Sequence, residues 1–184
     1  ATVVKARPND VTEEVLATMR DRFGLVRLFL GVESSTQQGC STLGRGVANA
    51  IRAGVAEAAG EYVLIFAVDD TGPALAIDEM LVLMDAGCDL VSCTRYARGG
   101  RRLGGSLVGH ALSRLANWLF RRAAGCVLTD ATTGIKMIRR SAFDRLTLDA
   151  TSAGWVVAFE LAIKAQLAGL RLGEVPIISI DRLF

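Results

Sequence analysis

Two adjacent aspartates follow a short apolar segment and are the side chains best placed for chemistry in this chain. Residues 63–67 are apolar and predict a buried strand, which Thr71-Gly72-Pro73 ends, so Asp69 and Asp70 should lie at its carboxyl end. In an open α/β sheet this edge is where ligands bind. Carboxylate oxygens are the ligands that a hard divalent cation prefers. The pair therefore predicts a Mg²⁺ or Mn²⁺ site, unless Asp70 only caps the helix that begins near Pro73.

Length and composition favour one domain with a substantial core. The chain has 184 residues, of which 51% are hydrophobic. A formal net charge of +2 gives no reason to expect a nucleic-acid partner. The basic residues are unevenly spread, because ten of the 21 lysines and arginines lie between Arg95 and Arg140. This local excess predicts a site for an anion or for an anionic membrane surface.

The cysteines and the hydropathy pattern exclude two further classes. No close paired spacing is found among the four cysteines, which argues against a structural zinc site; they are Cys40, Cys88, Cys93 and Cys126. We expect reduced thiols in a cytosolic setting, with Cys88 and Cys93 as small buried residues. No apolar run reaches about 18 residues without a charge, so the sequence predicts no membrane span.

Strand and helix patterns alternate along the first half of the chain. The predicted strands cover residues 2–5, 26–30, 63–67 and 89–93, and the predicted helices cover residues 12–22, 44–59 and 74–86. Residues 33–41 are polar and predict a loop. This βαβαβ order favours right-handed crossovers and a mostly parallel, Rossmann-like sheet with flanking helices.

The second half predicts a basic loop and a long amphipathic helix. Residues 98–105 are basic and glycine-rich, and residues 106–124 show a helical period of apolar side chains opposed by arginines. We expect this helix to bury Leu115, Trp118 and Leu119 in the core; the alternative is a helix that lies on a membrane surface. A polar turn and a strand should follow at 129–138, and then a helix at 155–167. The strand predicted at 170–180 contains Pro176, which suggests a sheet edge.

Eight short motifs follow one another in a fixed order. They occupy residues 44–54, 60–63, 67–70, 87–91, 94–96, 130–136, 159–161 and 173–177, the last followed by Asp181-Arg182. Taken together, from about residue 3 to 184, the chain resembles the family 2 glycosyltransferases. Within that family it is similar to the polyprenyl- or dolichol-phosphate sugar synthases. The resemblance implies a GT-A fold and an inverting, metal-dependent transfer from a nucleotide-diphospho-sugar donor. It also implies a polyprenyl-phosphate or similar acceptor and peripheral contact with the cytoplasmic face of a membrane.

The resemblance also implies roles for individual residues. Asp69 matches the second aspartate of the family's Asp-x-Asp metal motif, whereas the first falls on Ala67. Either Asp70 substitutes for it or metal binding is weakened. Arg95 matches the arginine after the fourth strand and is expected to bind a donor or acceptor phosphate.

Two further residues match the acceptor side of the family. Asp130 matches the aspartate of the acceptor-side turn, which contacts the sugar or acts as a base. Arg182 matches the arginine that precedes the acceptor loop. With Arg95, these two complete the catalytic residues that the resemblance predicts.

Departures from the family pattern concern both ends of the chain. Residues 4–12 align with the family's nucleoside-binding segment, in which Lys5 and Ala6 replace two acidic residues and Asp10 is kept as a donor contact. Compared with the family, we expect this stretch of sequence to lack the upstream strand with its Pro-x-Tyr-Asn-Glu turn and the downstream acceptor loop and membrane helices, either as a fragment or as part of a longer protein. We therefore expect residues 1–184 to form a single GT-A-like catalytic domain without these segments.

Two other classes of protein remain open. A non-catalytic glycosyltransferase-like subunit, which binds a nucleotide-sugar or a partner, would explain Ala67, Lys5 and Ala6 together. A nucleotidyltransferase of similar architecture is disfavoured, because no glycine-rich loop ending in a basic residue follows the first strand.

Overall fold

The computed structural model describes residues 2–6, 26–30, 47–65, 73–148 and 156–180, which contain both strands and helices. The strands are β1 (Thr2–Ala6), β2 (Val26–Leu30), β3 (Tyr62–Ile65), β4 (Leu90–Thr94), β5 (Arg101–Leu103), β6 (Lys136–Arg139), β7 (Leu172–Pro176) and β8 (Ile178–Ile180). The helices are α1 (Val47–Glu57), α2 (Pro73–Asp85), α3 (Leu107–Ala124), α4 (Arg140–Phe143) and α5 (Val156–Leu167). The helix predicted at 12–22 and the loop predicted at 33–41 lie outside the described residues.

The central sheet has four strands in the order β3-β6-β4-β7. β4 and β7 are parallel, but β6 is antiparallel to both β3 and β4. The predicted α/β class is confirmed, and the sheet is mixed: β3, β4 and β7 run in one direction and β6 runs against them. The connection from β3 through α2 to β4 leaves a gap one strand wide, which β6 fills from the opposite direction. The apolar pattern identifies a strand but not its direction or its neighbour, which is why this insertion was not predicted.

Each face of the central sheet carries its own core. Leu90 and Ile138 point to one face, where they pack with α1 and α5, and Val91 and Met137 point to the other, where they pack with α2. Successive side chains of a strand face opposite ways, so one sheet serves both cores. Cys93 is buried in the second core as expected. Cys88 is only half-buried, so the prediction for that residue is wrong.

Among the described residues, two ribbons of two strands each accompany this sheet: β1 pairs with β2 in parallel, and a ribbon of β5 and β8 continues from the edge of the sheet. In the described part of the chain, β7 is an outer strand of the central sheet and ends at Pro176, which confirms the predicted edge. The chain then continues into β8, which pairs with β5 in parallel. β5 lies in the segment that the sequence predicts to be a basic loop. The strand is not visible in the sequence because three residues are too few to show a period. Its arginines are nonetheless part of a paired strand.

The long helix α3 buries the face opposite to the one predicted. Ser106 caps its start by accepting a hydrogen bond from the Gly109 N–H at 2.9 Å, and Gly125 ends it in the left-handed region at φ 61°. Its buried residue is Asn117, whereas Leu115 and Trp118 are 51% and 58% exposed. The expectation that Leu115, Trp118 and Leu119 enter the core is therefore wrong. The inner surface at this place is a polar site, so the helix turns its polar side chains inward.

Candidate active site

Arg95 and Asp130 come together at the carboxyl edge of the central sheet. β3 and β4 are both antiparallel to β6, so their carboxyl ends lie at the same edge, and Arg95 directly follows β4. Asp130 belongs to the turn that leads into β6 at this edge. Both residues therefore lie at the carboxyl edge of β3 and β4. The other predicted site residues, Asp10, Asp69, Asp70 and Arg182, lie outside the described residues, as does Ala67.

The Arg95 guanidinium and the Asp130 carboxylate form a two-pronged ion pair. Nε of Arg95 donates to Oδ2 at 2.6 Å and Nη2 donates to Oδ1 at 3.0 Å. The backbone N–H of Arg95 also donates to Oδ2, at 3.2 Å. Asp130 is fully buried, and the Arg95 side chain is 15% exposed. A fork of this kind fixes the plane of the guanidinium as well as its position.

The surroundings of Asp130 favour a positioning role. Thr132 donates to Oδ1 at 2.7 Å, and the Asn117 amide donates to it at 3.4 Å. Burial alone would raise the pKa of the Asp130 carboxyl, but the hydrogen bonds and the charge of Arg95 outweigh burial, and the pKa lies below its ordinary value. The carboxylate is therefore ionised at neutral pH, and both oxygens accept hydrogen bonds from neighbours. This arrangement suits holding Arg95 in place better than removing a proton from a substrate.

A row of polar side chains crosses the sheet beneath the turn that carries Asp130. Ser92 of β4 is paired in register with Lys136 of β6 and with Glu174 of β7. Lys136 is fully buried, and its Nζ donates to the Ser92 hydroxyl at 2.9 Å. Burial lowers the pKa of Lys136 to about 8, although the charge of Asp130 opposes this shift. The row places the buried Lys136 ammonium and the half-buried Glu174 carboxylate behind the ion pair.

Glu174 holds the backbone of the same turn. Its Oε1 accepts hydrogen bonds from the N–H groups of Thr129, at 2.6 Å, and of Asp130, at 3.2 Å. A carboxylate that accepts from two successive amides restrains both residues. Glu174 therefore contributes to the placement of Asp130 without touching its side chain.

The inner face of α3 is attached to this site. The Tyr96 hydroxyl and the Ser113 hydroxyl are 2.8 Å apart, and Oδ1 of Asn117 accepts a hydrogen bond from the Ala131 N–H at 2.8 Å. The guanidinium carbons of Arg95 and Arg114 lie 5.2 Å and 5.5 Å from the centre of the Tyr96 ring. Both guanidinium groups are therefore within cation–π distance of the ring.

Sequence reasoning missed several members of this network. Ser92 and Glu174 occupy strand interiors, where a polar residue signals either a satisfied buried group or a site. Ser113 and Asn117 are four residues apart and so share one face of α3. That spacing is visible in the sequence, but the apolar period of the same helix is stronger and predicts the opposite face as the inward one.

The described residues include no group of three histidine, cysteine or acidic side chains close enough to hold a metal ion. The predicted ligands Asp69 and Asp70 follow β3 by four and five residues. Their carboxylate oxygens are chemically suited to a hard cation. Within the same described residues, no helix is long and apolar enough to cross a bilayer.

Comparisons with known proteins bear on the family and on the fold of this chain. The model of the family described as Glycosyl transferase family 2 matches residues 41–147, which is more than half of the chain. A polyprenol monophosphomannose synthase from Mycolicibacterium smegmatis is 31% identical over 107 residues, which are 58% of this chain and 40% of that protein. The match thus spans less than half of the length of this curated relative.

Solved structures with a similar fold are glycosyltransferases. Glucosyl-3-phosphoglycerate synthase from Mycobacterium tuberculosis, in complex with Mn²⁺ and UDP-glucose, superposes with a TM-score of 0.59 at 18% identity, over 98% of this chain and 70% of that one. Mannosyl-3-phosphoglycerate synthase from Rubrobacter xylanophilus does so with a TM-score of 0.59 at 19% identity, over 98% and 65% of the two chains. At this identity the likeness shows the fold alone, and that fold is the expected GT-A fold.

Proposed function

Because the chain belongs to glycosyltransferase family 2, we propose that it transfers a sugar from a nucleotide-diphospho-sugar donor to a lipid-phosphate acceptor of the polyprenyl-phosphate type. The observation that carries the proposal is the Arg95–Asp130 pair, which fixes a guanidinium at the ligand-binding edge of the sheet. Arginine in a fixed plane is well suited to phosphate oxygens. The similarity to a polyprenol monophosphomannose synthase supports a lipid phosphate as the acceptor.

Each residue has a task in this proposal. Arg95, held by Asp130, orients a phosphate of the donor or acceptor, and Arg182 holds the acceptor phosphate in line. The reaction is a single displacement with inversion at the anomeric carbon, so catalysis consists mostly of positioning and electrostatics. An ionised phosphate acceptor needs little general base, which agrees with a positioning role for Asp130.

A divalent cation fits the proposal through Asp69 and Asp70. Bound there, Mg²⁺ or Mn²⁺ would offset negative charge on the departing diphosphate. The Mn²⁺ and UDP-glucose in the structure of a protein with the same fold support a metal and a nucleotide-sugar here. Asp10 is assigned to the donor side. Residues 1–184 act as one catalytic domain in this proposal, at the cytoplasmic face of a membrane.

The test is sugar transfer by the 184-residue chain. UDP- and GDP-sugars are offered with a short-chain polyprenyl phosphate, with Mg²⁺, Mn²⁺ or a chelator, and the sugar that enters the lipid fraction is counted. We expect metal-dependent transfer that Asp69→Asn abolishes and that Arg95→Lys lowers at least tenfold, since lysine lacks the two-pronged geometry. Normal turnover of Asp69→Asn at saturating Mn²⁺ would remove the metal role. Transfer to 3-phosphoglycerate but not to the lipid phosphate would contradict the acceptor proposed.

A non-catalytic subunit is the second candidate, and a specific observation favours it. Ala67 replaces the first aspartate of the family's metal motif, and Lys5 and Ala6 replace two acidic residues of its nucleoside-binding segment. Titration calorimetry with nucleotide-sugars, with and without Mn²⁺, separates the two. Binding of a nucleotide-sugar, with no transfer to either the polyprenyl phosphate or 3-phosphoglycerate, would favour the non-catalytic subunit.

A further inference from the structure

The outer face of α3 exposes large apolar side chains to solvent. Leu107 is 87% exposed, Leu112 is 60% exposed and Trp118 is 58% exposed. The exposed large apolar residues of this helix are Leu107, Val108, Leu112, Leu115, Trp118 and Leu119. Single exposed apolar residues are common on protein surfaces, but a contiguous apolar face marks an interaction site.

The inner face explains why these side chains cannot enter the core of the domain. Ser113 and Asn117 bind Tyr96 and the Asp130 turn, and Phe120 packs edge to face on Phe159 of α5. Turning the helix to bury Trp118 would break these contacts with the active site. The apolar outer face is therefore left for a partner outside the described part of the chain.

Charge identifies the kind of partner. Residues 95–125 contain seven arginines and no aspartate or glutamate. Arg114, Arg121 and Arg122 lie on α3 itself and are exposed. Two copies joined through this face would bring like charges together, which disfavours a second copy as the partner. An anionic lipid surface offers negative headgroups to the arginines and an apolar layer to the leucines and the tryptophan.

The ribbon formed by β5 and β8 also exposes apolar side chains next to arginines. In the pairing of β5 with β8, Arg101 lies opposite Ile178 and Leu103 lies opposite Ile180, so these four share one face. Leu103, Ile178 and Ile180 are 48%, 53% and 71% exposed. β5 ends at Leu103, shortly before α3 begins at Leu107, which places a second basic and apolar surface next to the helix in the chain.

We propose that the outer face of α3 is the surface through which this chain binds an anionic membrane. The inference rests on the proposed function, because a lipid-phosphate acceptor presents its phosphate at the membrane. With the inner face attached to the Arg95–Asp130 site, a docked helix places that site about 10 Å, one helix diameter, from the headgroups. The acceptor phosphate then needs to rise only past one helix to meet Arg95.

Co-sedimentation of the 184-residue chain with vesicles tests the surface. Vesicles of phosphatidylglycerol and phosphatidylcholine should pellet the chain at low salt, whereas phosphatidylcholine alone should not, and added salt should release it. Arg121→Gln with Arg122→Gln should weaken binding about 25-fold, at about fivefold per arginine. The matched control is Arg145→Gln with Arg171→Gln, two exposed arginines outside α3 and the ribbon, which should bind as the unmodified chain does.

A second pair of variants tests the apolar contribution. Leu112→Ser with Trp118→Ser should weaken binding more than tenfold. Leu75→Ser with Leu167→Ser is the control, because these leucines are 89% and 76% exposed on α2 and α5. Circular dichroism confirms that each variant is folded before the vesicle assay.

Specific outcomes would overturn the inference. The first is that the unmodified chain does not pellet with anionic vesicles at low salt. The second is that the α3 variants and their controls lose equal amounts of vesicle binding. The third is that the chain forms a dimer that only the α3 substitutions dissociate. The last result would assign the face to a second copy. Transfer to a short-chain lipid phosphate in solution without vesicle binding would refute this surface and leave the proposed function standing. Vesicle binding without transfer would support the surface and refute the function.

Discussion

Replacing Asp130 with asparagine should destabilise the fold, because it removes the charge that compensates Arg95. Asp130 is fully buried and accepts three hydrogen bonds from Arg95, whose side chain is 15% exposed. Removing one member of a buried pair costs about 3–5 kcal/mol, since the remaining charge is left without its partner. Asparagine keeps one oxygen acceptor, so we expect about 3 kcal/mol for Asp130→Asn. In a domain of this size that corresponds to a Tm lower by about 6–12 °C.

Thermal and urea unfolding, followed by circular dichroism at neutral pH, measure this loss. The matched control is Glu61→Gln, which removes the charge partner of Arg139 at a glutamate that is 66% exposed. An exposed pair contributes at most about 1 kcal/mol, so the control should change little. Adding Arg95→Met to Asp130→Asn should recover part of the loss, because the uncompensated cation is then gone. Equal losses for Asp130→Asn and Glu61→Gln would refute the assignment of a desolvated ion pair.

The pH dependence of the same variant gives an independent check. The folded pKa of Asp130 lies below its ordinary value of 3.8. Its contribution to stability is therefore fully present above pH 3.8 and is lost as the pH falls through the lower, folded pKa. The difference in stability between the unmodified chain and Asp130→Asn should be constant near neutral pH and should shrink in strong acid. A difference unchanged down to the acid transition would contradict this linkage.

Two further predictions concern Gly100, which lies against the backbone of Thr94 and Arg95, and the buried Lys136. Gly100→Ala should lower the Tm and, under the proposed function, the transfer rate, because its Cβ would lie 2.7 Å from the Thr94 carbonyl oxygen and 2.9 Å from the Arg95 carbonyl carbon. Gly54→Ala in α1 is its control, since a Cβ there meets nothing within 4 Å, and it should be neutral or stabilising. Burial lowers the pKa of Lys136 to about 8 in the folded chain, against an ordinary value of 10.5. Between pH 8 and 10.5 the unfolded chain binds this proton and the folded chain does not, so the free energy of unfolding should increase as the pH rises through this range. Lys136→Met should lose this rise in melts across that range; an identical slope would count against it.

Sequence patterns located most elements but not their arrangement. Sequence patterns predicted α2 and α5 to within one residue at each end. The insertion of β6 between β3 and β4 was beyond the pattern, since pairing partners are chosen by tertiary packing rather than by local propensity.

The candidate site was predicted in a similarly uneven way. The motifs identified Arg95 and Asp130, and the structure adds that these two are bonded to each other. The polar row of Ser92, Lys136 and Glu174 depends on the register of three strands that are distant in sequence, so no local signal could reveal it. For α3, amphipathicity gave the two faces but not which one turns inward, because that choice was set by the polar site beneath the helix.

The insertion of β6 also constrains how the chain can fold. Ile65 pairs with Lys136, 71 positions later, and Leu90 pairs with Ile138, 48 positions later. Such distant pairings close large loops, which makes folding slow compared with a sheet built from sequential neighbours. During synthesis β3 and β4 must wait with open edges until β6 has left the ribosome, and open edges favour aggregation. The shortest piece of this protein able to form its central sheet must therefore run unbroken from β3 to β7.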